Sequence, residues 1–254
     1  MVENYPVIEG AEAFFYKGNE VGILISHGFV GTPQSVRFIG ESLAGYGYTV
    51  LAPRLPGHGT HYSDLESVTY EDWFDELEKN YLFLAGQCKK VFVIGQSMGG
   101  TLTLRLAHKY PQIRGIATVN AALTIPCFEY LKGDNQPRYI KEGEPDIKAR
   151  GVHEITYQKT PLHAVRQLQA LMEGTPSLFS DITVPILCIK SVEDHVVPPA
   201  NTEWIYSSVK SGRKEIVTLP NSYHVASMDN DKEMIVEKFV HFVEQVTAVS
   251  VSSC

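Results

Sequence analysis

The chain has 254 residues, a net charge of −7 from 22 basic and 29 acidic side chains, 44% apolar and 20% charged residues. That length is enough for a large buried core, as one α/β domain with an insertion or as two small domains. The charge balance and the lack of a basic run argue against a nucleic-acid partner, and no apolar run approaches the ~18 residues of a membrane span.

The N-terminus, Met1-Val2-Glu3-Asn4-Tyr5, is acidic and has no signal-peptide pattern. The four cysteines, Cys88, Cys127, Cys188 and Cys254, are scattered without CxxC spacing. They read as free thiols in a reducing cytoplasm. Residues 5–17 are expected to open the fold as a strand pair. Val21-Gly22-Ile23-Leu24-Ile25-Ser26 reads as a buried strand, followed by the loop His27-Gly28-Phe29-Val30-Gly31-Thr32-Pro33 and a helix over 34–46. Thr49-Val50-Leu51-Ala52-Pro53 is the next strand, then a loop through Gly57-His58-Gly59 and a helix over 70–84.

Val91-Phe92-Val93-Ile94-Gly95-Gln96-Ser97-Met98-Gly99-Gly100 organises the rest. A buried β-branched strand runs into G-x-S-x-G, and residues 101–110 read as a helix stopped by Pro111. Strand, G-x-S-x-G and helix make a nucleophile elbow. A serine hydroxyl needs a base to take its proton, and it must stand clear of the sheet to meet an acyl carbon. Gly95 and Gly99 clear side chains from the tight turn, and the helix start aims N–H groups at developing negative charge. The alternative is a glycine-rich turn with an ordinary serine, as in a nucleotide-binding unit.

A strand over 114–120 follows, and then the rhythm breaks. Residues 124–176 show no buried strand and are punctuated by Pro126, Gly133, Pro137, Gly143, Pro145, Gly151 and Pro161. A stretch of that length is too long for a plain connector. Strands resume at Ile186-Leu187-Cys188-Ile189-Lys190 and Glu215-Ile216-Val217-Thr218-Leu219, and a helix over 231–246 closes the fold, with a frayed tail over 247–254. This alternation predicts an α/β fold with a mostly parallel central sheet and helices on both faces.

In such sheets function collects at the carboxyl ends of strands. Asp194 follows one such strand and His224 the next, on the rim that carries Ser97. The order Ser…Asp…His matches the α/β-hydrolase triad. Of the other histidines, His27, His58 and His61 read as structural or rim residues, His108 and His241 as helix residues, and His153 and His163 as part of the insertion. His195 adjoins the candidate acid. Glu193 is the alternative acid. In these roles His224 takes the Ser97 proton and Asp194 holds the imidazole. The N–H groups of Met98 and Phe29 form the oxyanion hole. No metal-ligand spacing is present, and this chemistry needs no cofactor.

With these residues in place, the chain resembles the bacterial monoacylglycerol lipase and small carboxylesterase family of α/β hydrolases. The matching stretches are 27–33, 53–62, 97–104, 120–122, 159–161, 193–199 and 221–226. The resemblance implies an α/β-hydrolase core over 1–123 and 177–254 with a small cap over 124–176. It also implies that Glu154 contacts the glycerol head of a monoacylglycerol, against the plainer reading of a solvated carboxylate on a helix face. Ile125, Phe128, Leu131, Ile140, Ile155, Leu171 and Met172 are candidates for an acyl tunnel. Gln96 puts a polar side chain in the elbow where relatives often carry an apolar one. The expected activity is cytoplasmic hydrolysis of monoacylglycerols and short-to-medium acyl esters through an acyl-enzyme. The partner is then a small acyl ester, not nucleic acid, and the protein a monomer or weak homodimer. Two rivals keep the fold: an esterase for aromatic or acetyl esters, or a thioesterase, on the same triad; and a non-catalytic binding protein, which labelling by a fluorophosphonate would separate from both.

Overall fold

The computed structural model describes residues 3–133 and 137–249. Among the described residues nine strands form: β1 (Phe14–Tyr16), β2 (Val21–Ser26), β3 (Thr49–Ala52), β4 (Lys90–Gln96), β5 (Gly115–Val119), β6 (Tyr139–Lys141), β7 (Lys159–Pro161), β8 (Ile186–Ser191) and β9 (Lys214–Leu219). The helices are α1 (Arg37–Gly45), α2 (Tyr62–Leu65), α3 (Tyr70–Ala85), α4 (Met98–Lys109), α5 (Leu162–Gly174), α6 (Ala200–Ser208) and α7 (Lys232–Val249). Seven strands make one sheet in the order β1-β3-β2-β4-β5-β8-β9, parallel except for β1 against β3.

Side chains leave a strand on alternate faces, so an all-apolar strand serves two cores. In β4, Val91 and Val93 face one core while Phe92 and Ile94 face the other. In β8, Ile186 and Cys188 alternate with Leu187 and Ile189 in the same way. The first core takes Trp73, Leu77 and Tyr81 of α3 with Leu102 and Leu106 of α4. The second takes Ile39 and Leu43 of α1 with Ile235, Phe239 and Phe242 of α7. Each such large side chain contributes about 1.5–3 kcal/mol on burial. The start of α3 is set by a capping box, in which the Thr69 hydroxyl accepts the Asp72 N–H and the Asp72 carboxylate accepts the Thr69 N–H.

The expected opening strand pair is not there; only β1 forms. Residues ahead of it give their backbone groups to loops. Ile8 N–H donates to Gly59 O at 2.8 Å, Asn4 N–H to Asp64 Oδ1 at 2.9 Å, and the Glu3 carboxylate takes the Gly57 N–H and the Arg54 guanidinium. Between β5 and β8 the chain leaves the main sheet, forms the β6–β7 hairpin, and returns through α5, which packs on α3 and α4. The closing helix runs to Val249, so 247–249 is helical; the rest of the expected frayed tail, with Cys254, lies outside the described residues.

Candidate active site

β4 ends in a turn so tight that Ser97 sits at φ 54°, ψ −121°. Positive φ in a residue with a Cβ costs roughly 1–3 kcal/mol and persists only where the surroundings enforce it. A Cβ on Gly95 would fall 2.1 Å from Gly99 O, and one on Gly99 would fall 2.4 Å from Ser26 O. Both positions are therefore closed to any larger residue. Val30 (φ 54°) and Asn120 (φ 47°) are the other two described non-glycine residues with positive φ. All three follow adjacent central strands, β2, β4 and β5, at the carboxyl rim.

The Ser97 hydroxyl donates to His224 Nε2 at 2.9 Å, and His224 Nδ1–H donates to Asp194 Oδ2 at 2.8 Å. The other Asp194 oxygen accepts Val196 N–H at 2.9 Å and Val197 N–H at 2.7 Å. The Asp194 side chain is 1% exposed and that of His224 9%. Glu193, the alternative acid, faces outward and pairs with Lys148 and His195 instead. Among the described residues the backbone N–H groups of Phe29 and Met98 donate to no acceptor.

The profile of the serine aminopeptidase S33 family (Hydrolase_4) matches residues 19–231. The chain belongs to this family. The hydrolase is 47% identical over 244 residues to the thermostable monoacylglycerol lipase of Bacillus sp. (strain H-257), covering 95% of this chain and 98% of that protein. It is 27% identical over 237 residues to a carboxylesterase of Bacillus subtilis (strain 168), covering 92% and 96%. A solved structure from the study of LipS and LipT, two metagenome-derived lipolytic enzymes, superposes with a TM-score of 0.92 at 41% identity, covering 94% of this chain and all of the other. These relatives are α/β hydrolases, and the sheet described above is the core of that fold.

Behind the site of this hydrolase, His27 and His58 are fully buried and structural, as their positions suggested. His27 Nδ1–H donates to Gly28 O at 2.9 Å while its Nε2 accepts Leu55 N–H at 3.2 Å. Burial holds the His27 imidazole well below its ordinary pKa, and holds that of His58 at about 4, so both stay neutral.

Several residues not singled out from sequence as site residues hold the loop that carries His224. Asn120 Nδ2–H donates to His224 O at 2.9 Å and to Ser191 Oγ at 3.0 Å, and Asn120 Oδ1 accepts Ser191 N–H at 2.8 Å. Gln96, flagged as a departure, uses its polarity: Oε1 accepts Ser227 N–H at 3.0 Å, and Nε2–H reaches His224 O at 3.4 Å. From the inserted segment, Asp146 Oδ2 accepts the N–H groups of His224 and His195, each at 3.1 Å, and Oδ1 accepts His195 Nδ1–H at 2.8 Å. That contact raises the His195 pKa. Nearby, Asp229 accepts Lys148 N–H (2.7 Å), Ala149 N–H (2.9 Å) and Tyr223 N–H (2.8 Å). A buried or loop acceptor at such spacing carries no sequence signal, and the left-handed backbone that suits an Asn at 120 is visible only in the fold.

A cavity of about 110 Å³ stands over Ser97, walled by Phe29, Val30, Ile125, Phe128, Val196 and His224 and lined also by the carboxyls of Glu142, Glu144, Asp146 and Glu154. Of the expected tunnel residues, Ile125 and Phe128 reach it, whereas Leu131 and Ile140 pack in a small separate cluster and Leu171 and Met172 in the main core. Glu154 is not on a helix face. It lies in irregular chain, 8% exposed, and burial lifts its pKa to about 7. Among the described residues no cluster of three His, Cys, Asp or Glu side chains is placed to hold a metal ion, and no helix is long and apolar enough to cross a membrane.

Proposed function

We propose that this hydrolase cleaves monoacylglycerols and short-to-medium-chain carboxylic esters through an acyl-enzyme on Ser97. The observation that carries the reading is the unbroken line from Ser97 Oγ through His224 to Asp194. Ser97 Oγ attacks the ester carbon as its proton passes to His224 Nε2. The carbonyl oxygen becomes an oxyanion between the N–H groups of Phe29 and Met98, each such donor lowering the barrier by about 2.7–4 kcal/mol. The imidazolium, steadied by Asp194, protonates the leaving alcohol as the C–O bond breaks. Water then repeats the sequence on the acyl-Ser97 ester, releasing the acid and restoring the hydroxyl. In this reading residues 1–123 and 177–254 are the core, 124–176 is the cap over the acyl pocket, and Glu154 contacts the polar head. The similarity to the Bacillus monoacylglycerol lipase supports the substrate class. Buried free thiols at Cys88 and Cys188 suit a reducing cytoplasm, and we take the protein to act as a monomer or weak homodimer.

The small cavity favours one second reading, an esterase for acetyl or aromatic esters on the same residues. A matched pair of substrates separates them: the medium-chain monoacylglycerol and the methyl ester of the same acid. A clear preference in kcat/KM for the monoacylglycerol supports the lipase reading, and equal rates reduce the protein to a general carboxylesterase. Fluorophosphonate labelling lost in Ser97→Ala, with the fold intact by circular dichroism, supports the nucleophile; undiminished turnover in pure Ser97→Ala protein refutes it.

A further inference from the structure

Four carboxyls line the cavity: Asp146 is committed to His224 and His195, Glu144 is exposed, and Glu142 and Glu154 remain, of which only Glu154 was suggested by sequence. Glu142 follows β6, and its N–H donates to Gln158 O at 3.1 Å, continuing the β6–β7 ladder. This sets its side chain beside the fully buried Thr160, whose hydroxyl donates to Glu142 Oε2. Among the described residues no donor reaches Glu142 Oε1, no donor reaches either oxygen of Glu154, and no lysine or arginine pairs with either side chain. Glu154 is 8% exposed, and its Oε1 hangs over Gly31, where a Cβ would fall 2.8 Å from it. Both carboxyls line the cavity that holds Ser97 and His224, and both line an outer groove of about 550 Å³ with Gly143, Glu144, Thr156 and Gln158.

A leaving alcohol takes its proton from His224, so its remaining atoms lie on the His224 side of the cavity. Glu142 and Glu154 line the same small cavity as His224, so both are available to the alcohol that His224 protonates. The apolar wall of Phe29, Ile125 and Phe128 is left for the acyl chain. Acceptors inside a cavity that no protein donor claims favour a group that can donate to them over one that cannot. We propose that Glu142 and Glu154 grip the leaving alcohol together, each carboxyl taking one free hydroxyl, so that Glu142 determines specificity for monoesters of polyols with at least two free hydroxyls. Glu154, next to His224, takes the first hydroxyl and Glu142 the second. Burial raises the pKa of both, and Glu142 raises that of Glu154 further. Near neutral pH Glu154, with its pKa lifted to about 7, is protonated in part and can donate as well as accept. The inference rests on the esterase reading above.

The test is kcat/KM on four esters of one medium-chain acid, with no, one, two or a charged group on the alcohol: methyl, ethylene glycol, glycerol and aminoethyl. The parent protein should prefer glycerol over ethylene glycol over methyl. Glu142→Ala should lose about tenfold on the glycerol ester, the scale of one hydrogen bond to a charged group, and less than twofold on the ethylene glycol and methyl esters. Glu142→Gln, which keeps an acceptor oxygen, should recover most of the loss. Equal losses of Glu142→Ala on all esters, no loss on the glycerol ester, or a parent preference for the aminoethyl ester would each overturn the proposal. If the parent hydrolyses none of the four, the esterase reading itself has failed. If Glu154→Ala abolishes the glycerol preference and Glu142→Ala does not, the proposal is overturned while the esterase reading stands.

Discussion

Replacing Asp194 by asparagine tests the triad where its geometry is most restrictive. The side chain has two jobs: one oxygen accepts from Val196 N–H and Val197 N–H, and the other accepts from His224 Nδ1–H. An asparagine can keep the two backbone bonds only by turning its carbonyl oxygen toward them, because its NH₂ group cannot accept. The NH₂ then faces His224 Nδ1, which must become the acceptor, and the ring proton moves to Nε2. That nitrogen faces the Ser97 hydroxyl at 2.9 Å and can no longer receive its proton. The wrong tautomer should lower kcat by about 10⁴-fold, or about 5.4 kcal/mol of barrier. The assay is single-turnover acylation with a p-nitrophenyl ester, alongside thermal melting to show that the buried site stays folded. A fall of less than tenfold in a folded protein would refute the argument, since it would mean that Asp194 does not set the His224 tautomer.

Other outcomes follow from the same contacts. Glu154 holds its proton in the folded state up to about pH 7 against 4.5 when free, so the folded protein binds more protons between those values. Stability should fall as pH rises from 4.5 to 7 and level off above, by on the order of 3 kcal/mol at most. Glu154→Gln should flatten that slope in urea melts at pH 5 and 8; an unchanged slope would count against the buried carboxyl. Asp146→Asn weakens the hold on the N–H groups of His224 and His195, so kcat should drop by a similar factor on every ester while the glycerol-to-methyl ratio stays put; a change in that ratio would make Asp146 a head-group residue. Gly31→Ala should fold, because its Cβ meets only the end of a flexible side chain. It should nevertheless displace the Glu154 carboxyl and cut the glycerol-to-methyl ratio several-fold, and an unaltered ratio would show that the carboxyl position does not matter.

The central sheet was legible because its strands are short apolar runs and its turns carry glycine. Ser97, Asp194 and His224 could be singled out because each leaves a strand at the same rim, a matter of chain order alone, and the structure brings the three side chains together. The misses have physical reasons. Helix α6 buries Asn201 and Thr202 beside Ile205, so its inward face is half polar and shows no apolar stripe. Helix α5 does carry such a stripe, with Leu162, Val165, Leu168, Leu171 and Met172 buried, and its spacing was readable. Glu142 and Asp146 sit in irregular chain, where only the tertiary fold says which backbone or hydroxyl each carboxyl meets. The opening segment failed as a strand pair because its N–H groups find loop acceptors before any neighbouring strand.

Asp146 and Asp229 pin residues of the inserted segment directly to the backbone that carries His224. The insertion is thus not an interchangeable module bolted to an indifferent scaffold. A chimera that grafts residues 124–176 from a relative inherits a His224 loop fitted to another insertion. Transplants should succeed only when the acceptors at 146 and 229 travel with the graft, and diversification of substrate range within this lineage should run through the cavity wall at 125 and 128, leaving the anchoring stretch at 146–149 alone.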